Sequence, residues 1–210
     1  GDPEGVLAEL VSGERQAGVL PLGATTVPWG DRITHLLMLD WHPGDRAAGP
    51  WLARRIDAGG SMGPDGRRDL ADAIDPGRHL VELGAWRSVA GVGDTVAVEA
   101  AFDRGALGTA AQLVGLSRRM LDLTVAYVTE RRQFGVPIGS FQAVKHHLAD
   151  AALRLELTAP AVYGAAWSLA TGSETAGRDV SMAKALASDT ARLVGRRALQ
   201  CHGAIGYTTE

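Results

Sequence analysis

Apolar positions follow two different rules along this chain, and the change falls near Gly93. Upstream, the apolar runs Val19–Leu22, Leu36–Leu39, Trp51–Ile56 and Leu80–Leu83 are short and bounded by Gly, Pro or Asp. That punctuation is the signature of short strands. Pro43–Pro50 and Gly59–Arg68 lie between them, rich in turn formers, and predict exposed loops. Gly5–Glu14 predicts a short helix leading into the first strand. No internal repeat is visible.

Downstream the period becomes helical. A first helix is predicted from Asp103 to Phe134, where Leu113, Leu116, Met120, Leu121, Val125 and Val128 recur at helical spacing. Gly135 and Pro137 mark its end. Ser140 is the expected N-cap of a second helix that carries Val144, Leu148, Ala151, Leu155 and Val162 up to Gly172. A third opens between Glu174 and Asp179 and runs through Met182, Leu186, Ala191, Val194 and Leu199 to Gly203. Small residues such as Ala151, Ala152, Ala165, Ala166, Ala183 and Ala187 allow close backbone approach. Helices of about 30 residues span some 45 Å, and three joined by short loops pack most economically as an antiparallel bundle. The predicted fold is therefore α+β: a small irregular β-domain over residues 1–93, then an antiparallel α-helical bundle over 94–210.

Composition narrows the function classes. The 210 residues are 46% hydrophobic and 21% charged, ordinary globular usage that excludes wholesale disorder. A net charge of −3 with dispersed basic residues offers nucleic acid or an anionic membrane no attractive field. The lone Cys201 excludes an internal disulfide framework and suits a reducing, cytoplasmic setting. No apolar run approaches the roughly 20 residues of a membrane span, and GDPEGVLAEL lacks the pattern of a signal peptide. His146 and His147 are adjacent, so their imidazoles cannot share one helical face, and no metal site is expected. The five tryptophans read as packing anchors.

Two segments carry chemistry. Glu130–Gln142, ERRQFGVPIGSFQ, sets two guanidinium groups, amides and two phenyl rings around one sharp turn. Basic residues before a glycine are most often simple helix ends. Guanidinium groups also bind pyrophosphate with paired hydrogen bonds, and phenyl rings wall a planar ring system. Leu199–Tyr207, LQCHGAIGY, ends a helix at glycine, and Gly203, Ala204 and Gly206 would admit a ligand close to backbone. Cys201 beside His202 does not make a thiol dyad, because no activating base is identifiable.

From about Ala106 to Glu210 the chain resembles the C-terminal helical domain of the acyl-CoA dehydrogenase family. The resemblance rests on VGLSRRMLDLTVAYVTERRQFGVPIGSFQAVKHHLAD, SMAKALASDTARLVGRRALQ and CHGAIGYTTE, and above all on the order ERRQFG, FQ, QCHGAIGY. It implies an FAD site shared with a neighbouring subunit. Arg131 would meet the pyrophosphate, Gln133 and Phe134 would border the cofactor, and Phe141 and Gln142 would follow at the next helix start. Gln200, Gly203 and Ala204 would approach the adenosine half, Ala204 standing where a second glycine is common in the family.

The departures shape the expected role. The first half is compatible with a shortened, degenerate version of the family's middle β-domain. Val19–Gly30 lacks the flavin-binding pattern usual there. The family's N-terminal helical domain is not in this sequence, nor is the stretch after GYTTE where most members carry the glutamate base. A minority place that base at the start of the first long helix, where this chain has Gly105, so no catalytic residue is expected within it. Asp103 and Arg104 nearby are expected to solvate a helix start.

The implied function is that of an acyl-CoA dehydrogenase-like subunit that completes an FAD site for α,β-dehydrogenation of an acyl-CoA thioester by a catalytic partner. A heterotetramer and a place in lipid or sterol side-chain degradation follow by analogy. Two other readings stay open: an incomplete chain of an ordinary homo-oligomeric dehydrogenase, and a non-redox assembly scaffold.

Overall fold

The computed structural model describes residues 8–9, 12–14, 16–21, 26–28, 35–39, 53–57, 80–82, 88–92 and 95–208. They belong to two compact units, Gly1–Ala100 and Ala101–Glu210.

The N-terminal unit is built of short strands. A four-stranded sheet takes the order β1 (Ala17–Pro21), β3 (His35–Leu39), β4 (Ala53–Asp57), β6 (Ser88–Val92), and β2 (Thr26–Pro28) pairs with β5 (Leu80–Glu82) in a second ladder. β1 and β3 run parallel with Ala17 opposite His35, whereas β3–β4 and β4–β6 are antiparallel. The β4–β6 register slips between Arg55 and Ile56. Four of these strands coincide with the apolar runs of the sequence. β2 and β6 are additions, since each carries a Pro or a Gly that breaks the local pattern. Ala8, Glu9 and Ser12 are helical, within the helix expected at Gly5–Glu14. The loops expected at Pro43–Pro50 and Gly59–Arg68 lie outside the described residues.

Three helices build the C-terminal unit: α1 (Thr95–Glu130), which enters it at Ala101, α2 (Gln142–Ala170) and α3 (Ala176–His202). Their shared core is aliphatic and small. Ala110 and Val114 of α1 meet Leu155, Ala159, Val162 and Ala165 of α2 and Val180, Ala183 and Ala187 of α3. Alanine at the contacts brings the helix backbones close, so dispersion replaces bulk as the source of cohesion. Buried hydroxyls are satisfied locally: Ser117 donates to the Leu113 carbonyl and Thr124 to that of Met120, both at 2.7 Å.

Cross-helix contacts give the directions. Asp150 near the start of α2 pairs with Arg197 near the end of α3, and Ser168 near the end of α2 donates to Asp179 in the first turn of α3. Asp103 reaches Gly177 at the start of α3, and Tyr127 reaches His202 at its end. Hence α1 and α3 run parallel and α2 runs against both, an up-down-up bundle of the expected kind.

Four local expectations are corrected. α1 begins at Thr95, so Asp103 lies inside it, and the helix start its carboxylate meets is that of α3, where a Cβ on Gly177 would lie 3.3 Å away. α1 ends at Glu130, not Phe134, because the chain turns into a hairpin. Ser140 does not cap α2: its hydroxyl is spent on the Pro137 carbonyl at 2.7 Å, and Phe141 occupies the cap position in extended backbone. Trp167 is no packing anchor, since it stands 72% exposed; the other four tryptophans lie outside the described residues.

Candidate functional site

One end of the bundle gathers both motif segments. After Glu130 the backbone forms β7 (Arg132–Gln133) and β8 (Val136–Pro137), joined by Phe134 and Gly135 at φ 53° and 82°. Positive φ at both central residues makes a type I′ turn, whose twist matches the hairpin it closes. Arg131 fastens this hairpin to α1: its amide donates to the Tyr127 carbonyl at 2.9 Å, and its carbonyl accepts from the Ile138 amide at 2.8 Å. A 3₁₀ turn, Ile138–Ser140, then leads to α2. It sits hard against α1, for a Cβ on Gly139 would lie 3.0 Å from the Val128 carbonyl oxygen.

The second segment is held as firmly. α3 stops where Gly203 takes φ 65°, a value that glycine adopts without steric cost. A 3₁₀ turn follows over Gly203–Tyr207. His202, the last residue of α3, has Nδ1 2.8 Å from the Ala198 carbonyl oxygen. A carbonyl can only accept, so Nδ1 carries the proton and donates. Gly206 lies beneath, where a Cβ would come 3.2 Å from that of His202. The His202 ring stacks on Tyr127, with centroids 4.4 Å apart and planes inclined by 19°. Through this stack the hairpin and the Gly203 turn lie at the same end of the bundle.

The eight residues singled out in the sequence, Arg131, Gln133, Phe134, Phe141, Gln142, Gln200, Gly203 and Ala204, are all exposed, and they lie on these two segments. The side chains of Arg131, Gln133, Gln142 and Gln200 have no hydrogen-bond or ion-pair partner among the described residues. An exposed guanidinium without a partner suits an oxyanion ligand. Phe134, 93% exposed, meets Phe141 edge to face at 6.4 Å and 74°, an apolar corner open to solvent. A Cβ on Gly203 would meet nothing within 4 Å, so its backbone is open to close approach. This donor set fits a dinucleotide: a cation for the diphosphate, amides for the hydroxyls and rings for an apolar edge.

Other groups fall away. Cys201 is buried, and desolvation pushes its thiol up against a smaller opposing pull from Arg197, which disfavours thiolate chemistry. Gly105 is exposed on α1 with open space around it and offers no proton acceptor. Tyr127 was the part that residue spacing did not reveal. Only folding brings it to His202, and its one sequence signal is an aromatic ring one turn before Arg131.

The helical unit is similar to known proteins. Residues 91–210 match the family model described as acyl-CoA dehydrogenase, C-terminal domain. Probable acyl-CoA dehydrogenase YngJ of Bacillus subtilis is 40% identical over 109 residues, which are 52% of this chain and 28% of that protein. Acyl-CoA dehydrogenase IpdE2 of Mycolicibacterium smegmatis is 43% identical over 108 residues, 51% of this chain and 33% of that protein. The ChsE4–ChsE5 complex from Mycobacterium tuberculosis matches with a TM-score of 0.73 at 27% identity, over 96% of this chain and 59% of the matched one. In each case the match covers less than two thirds of the relative. No helix among the described residues is long and apolar enough to cross a membrane.

Proposed function

The chain belongs to the acyl-CoA dehydrogenase family, whose C-terminal domain it carries over residues 91–210, and from that premise we propose that it completes an FAD site for a catalytic partner subunit. The observation that carries this reading is the convergence at one end of the bundle of two motif segments with exposed side chains, joined by the Tyr127–His202 stack. Arg131 binds the pyrophosphate. Gln133 and Gln142 supply amide hydrogen bonds, Phe134 and Phe141 exclude water from one edge, and Gln200, Gly203 and Ala204 receive the adenosine half. When bound, FAD supplies the hydride acceptor for α,β-dehydrogenation of an acyl-CoA thioester.

This chain's own residues bind and orient; they do not move the α-proton. Gly105 stands at one family position of the base, and the abstracting carboxylate is assigned to the catalytic partner. The N-terminal unit is read as a shortened middle β-domain. The helical unit also presents a solvent-facing apolar stripe on α2, where Leu153, Leu157, Pro160 and Trp167 recur at intervals of four, three and seven residues. A stripe of this kind supports a permanent protein partner. The ChsE4–ChsE5 structure from Mycobacterium tuberculosis is that of a complex, which supports a heteromeric assembly here, and likeness to a steroid ACAD at 26% identity supports lipid or sterol side chains as the substrate class.

The test is copurification of the chain from its native host, followed by a flavin absorbance spectrum and acyl-CoA-dependent bleaching. A flavin-loaded assembly with a second dehydrogenase subunit supports the proposal. Flavin-free assemblies throughout would reduce the chain to a scaffold. Flavin binding and bleaching by a homo-oligomer would make it an ordinary dehydrogenase.

A further inference from the structure

We infer that Tyr127 and His202 are a positioning pair: their stack sets the spacing between the Arg131 hairpin and the Gly203 turn, so that one dinucleotide can engage both. This inference rests on the FAD reading above. Each segment is rigid toward its own helix. The hairpin is tied to α1 by the Arg131 amide and carbonyl and by the close fit of Gly139 on Val128. The Gly203 turn is tied to α3 through Gly206 beneath His202, while Nδ1–H of His202 is anchored on the Ala198 carbonyl. What those contacts leave free is the distance between the last turn of α1 and the last turn of α3. Helix ends fray, because their final carbonyls lack intrahelical partners.

The main aliphatic cluster runs from Ala110 to Val114 on α1 and from Val180 to Ala187 on α3, while Val128 on α1 and Val194 and Cys201 on α3 are buried nearer the site. Closer to the site, α1 and α3 approach where Met120 faces Gly195, at 3.9 Å from a Cβ placed there. Beyond it the near-parallel rings of Tyr127 and His202 join the two ends. The positive φ of Gly203 then turns the chain out immediately after the stacked ring, so a shift of His202 carries Gly203 and Ala204 with it. A ring pair suits this task, since stacking resists tilt and separation together.

The experiment compares Tyr127→Leu, which keeps apolar volume but removes the ring, with Tyr127→Phe, which keeps it, and with Arg131→Ala, all as the full chain in its assembly. FAD affinity is read by titration, hydrogen exchange by the amides of 131–141 and 203–207, and global stability by the melting temperature. For Tyr127→Leu we expect faster exchange in both segments and a loss of about three- to tenfold in FAD affinity, the range that one aromatic pair supports. Tyr127→Phe is expected to restore both readouts. Unchanged exchange in Tyr127→Leu, or a Phe variant no better than Leu, overturns the positioning role whatever the flavin does. Faster exchange in Tyr127→Leu with FAD affinity indifferent to both Tyr127→Leu and Arg131→Ala overturns the dinucleotide reading instead.

Discussion

The hydroxyl oxygens of Thr158 and Thr190 lie 2.7 Å apart in the buried seam between α2 and α3. Thr158 also approaches the Arg154 carbonyl at 2.7 Å, and its one proton goes there, so Thr190 is the donor across the seam. The hydrogen bond is therefore directional, and its two ends are unequal. Thr158→Val leaves a buried donor without its acceptor and is expected to cost about 1–3 kcal/mol. Thr190→Val should cost less, and the double variant less than the sum of the two. Urea unfolding of the four proteins measures the cycle; additive losses would show that the hydroxyls do not interact.

Arg131→Ala is expected to weaken FAD binding about tenfold or more, the loss of one charge-assisted contact to a pyrophosphate. Arg132 is the internal control, since it opens β7 rather than tying the hairpin to α1. Its replacement by Ala should leave affinity within about twofold, as for an exposed surface charge. Flavin titration of the assembly separates the two. Equal losses would indicate a general basic field instead of a specific contact.

Gly139 and Gly105 predict opposite outcomes for the same substitution. A Cβ on Gly139 would lie 3.0 Å from the Val128 carbonyl oxygen and 3.1 Å from its Cγ2, and neither atom is the far end of a flexible chain. Gly139→Ala should destabilise by about 1–3 kcal/mol through overpacking. Gly105 lies inside α1 with nothing within 4 Å of its Cβ position, and Gly105→Ala should stabilise by about 1 kcal/mol. Melting temperatures of the two variants should move in opposite directions.

Asp179 makes the α2–α3 junction sensitive to acid. Hydrogen bonds from Thr175 and Ser168, then from Arg178, hold its carboxyl below the usual value of 3.8. A carboxyl depressed on folding contributes stability above its unfolded value and loses it as the pH falls through the folded one. The gap in melting temperature between wild type and Asp179→Asn should be full near neutrality and close only as the pH falls below the usual carboxylate range. A pH-independent gap would assign the effect to geometry and not to charge.

Leu157 and Trp167, 65% and 72% exposed, lie on the apolar stripe of α2. Replacing both with Glu puts two charges on that face and is expected to release the partner while the bundle stays folded, since neither side chain is in the core. Sedimentation velocity with circular dichroism reads both outcomes. An unchanged sedimentation coefficient would remove α2 from the interface.

The long helices were legible because their apolar residues repeat over many turns, and a missed position changes little. Local choices were not. Arg131, Arg132 and Gln133 are good helix formers, so composition extended α1 through them; the type I′ turn at Phe134 and Gly135 and the tie from Ile138 to Arg131 draw them out. Ser140 has the right chemistry for a cap and spends it on Pro137. β2 and β6 are held by partners distant in sequence, which no local run announces. The roles of Arg131, Gln133 and Gln200 came from family resemblance, since an isolated Arg or Gln at a helix end is commonplace. The contact of Tyr127 with His202 lies beyond any reading by spacing, because it exists only once α1 and α3 lie side by side.

Phe134 recovers only part of its own conformational cost, through its edge-to-face contact with Phe141. It holds φ 53°, a conformation costing an L-residue about 1–2 kcal/mol, while its ring stands almost wholly in water. Asn at that position would relax the turn. A laboratory selection for heat resistance in this chain should therefore converge on Asn or Gly at the hairpin tip, and each gain would erase the ring. The thermostable descendants would be well-folded proteins with a blunted edge. The cheapest route to a sturdier bundle thus runs through the loss of its most exposed aromatic side chain.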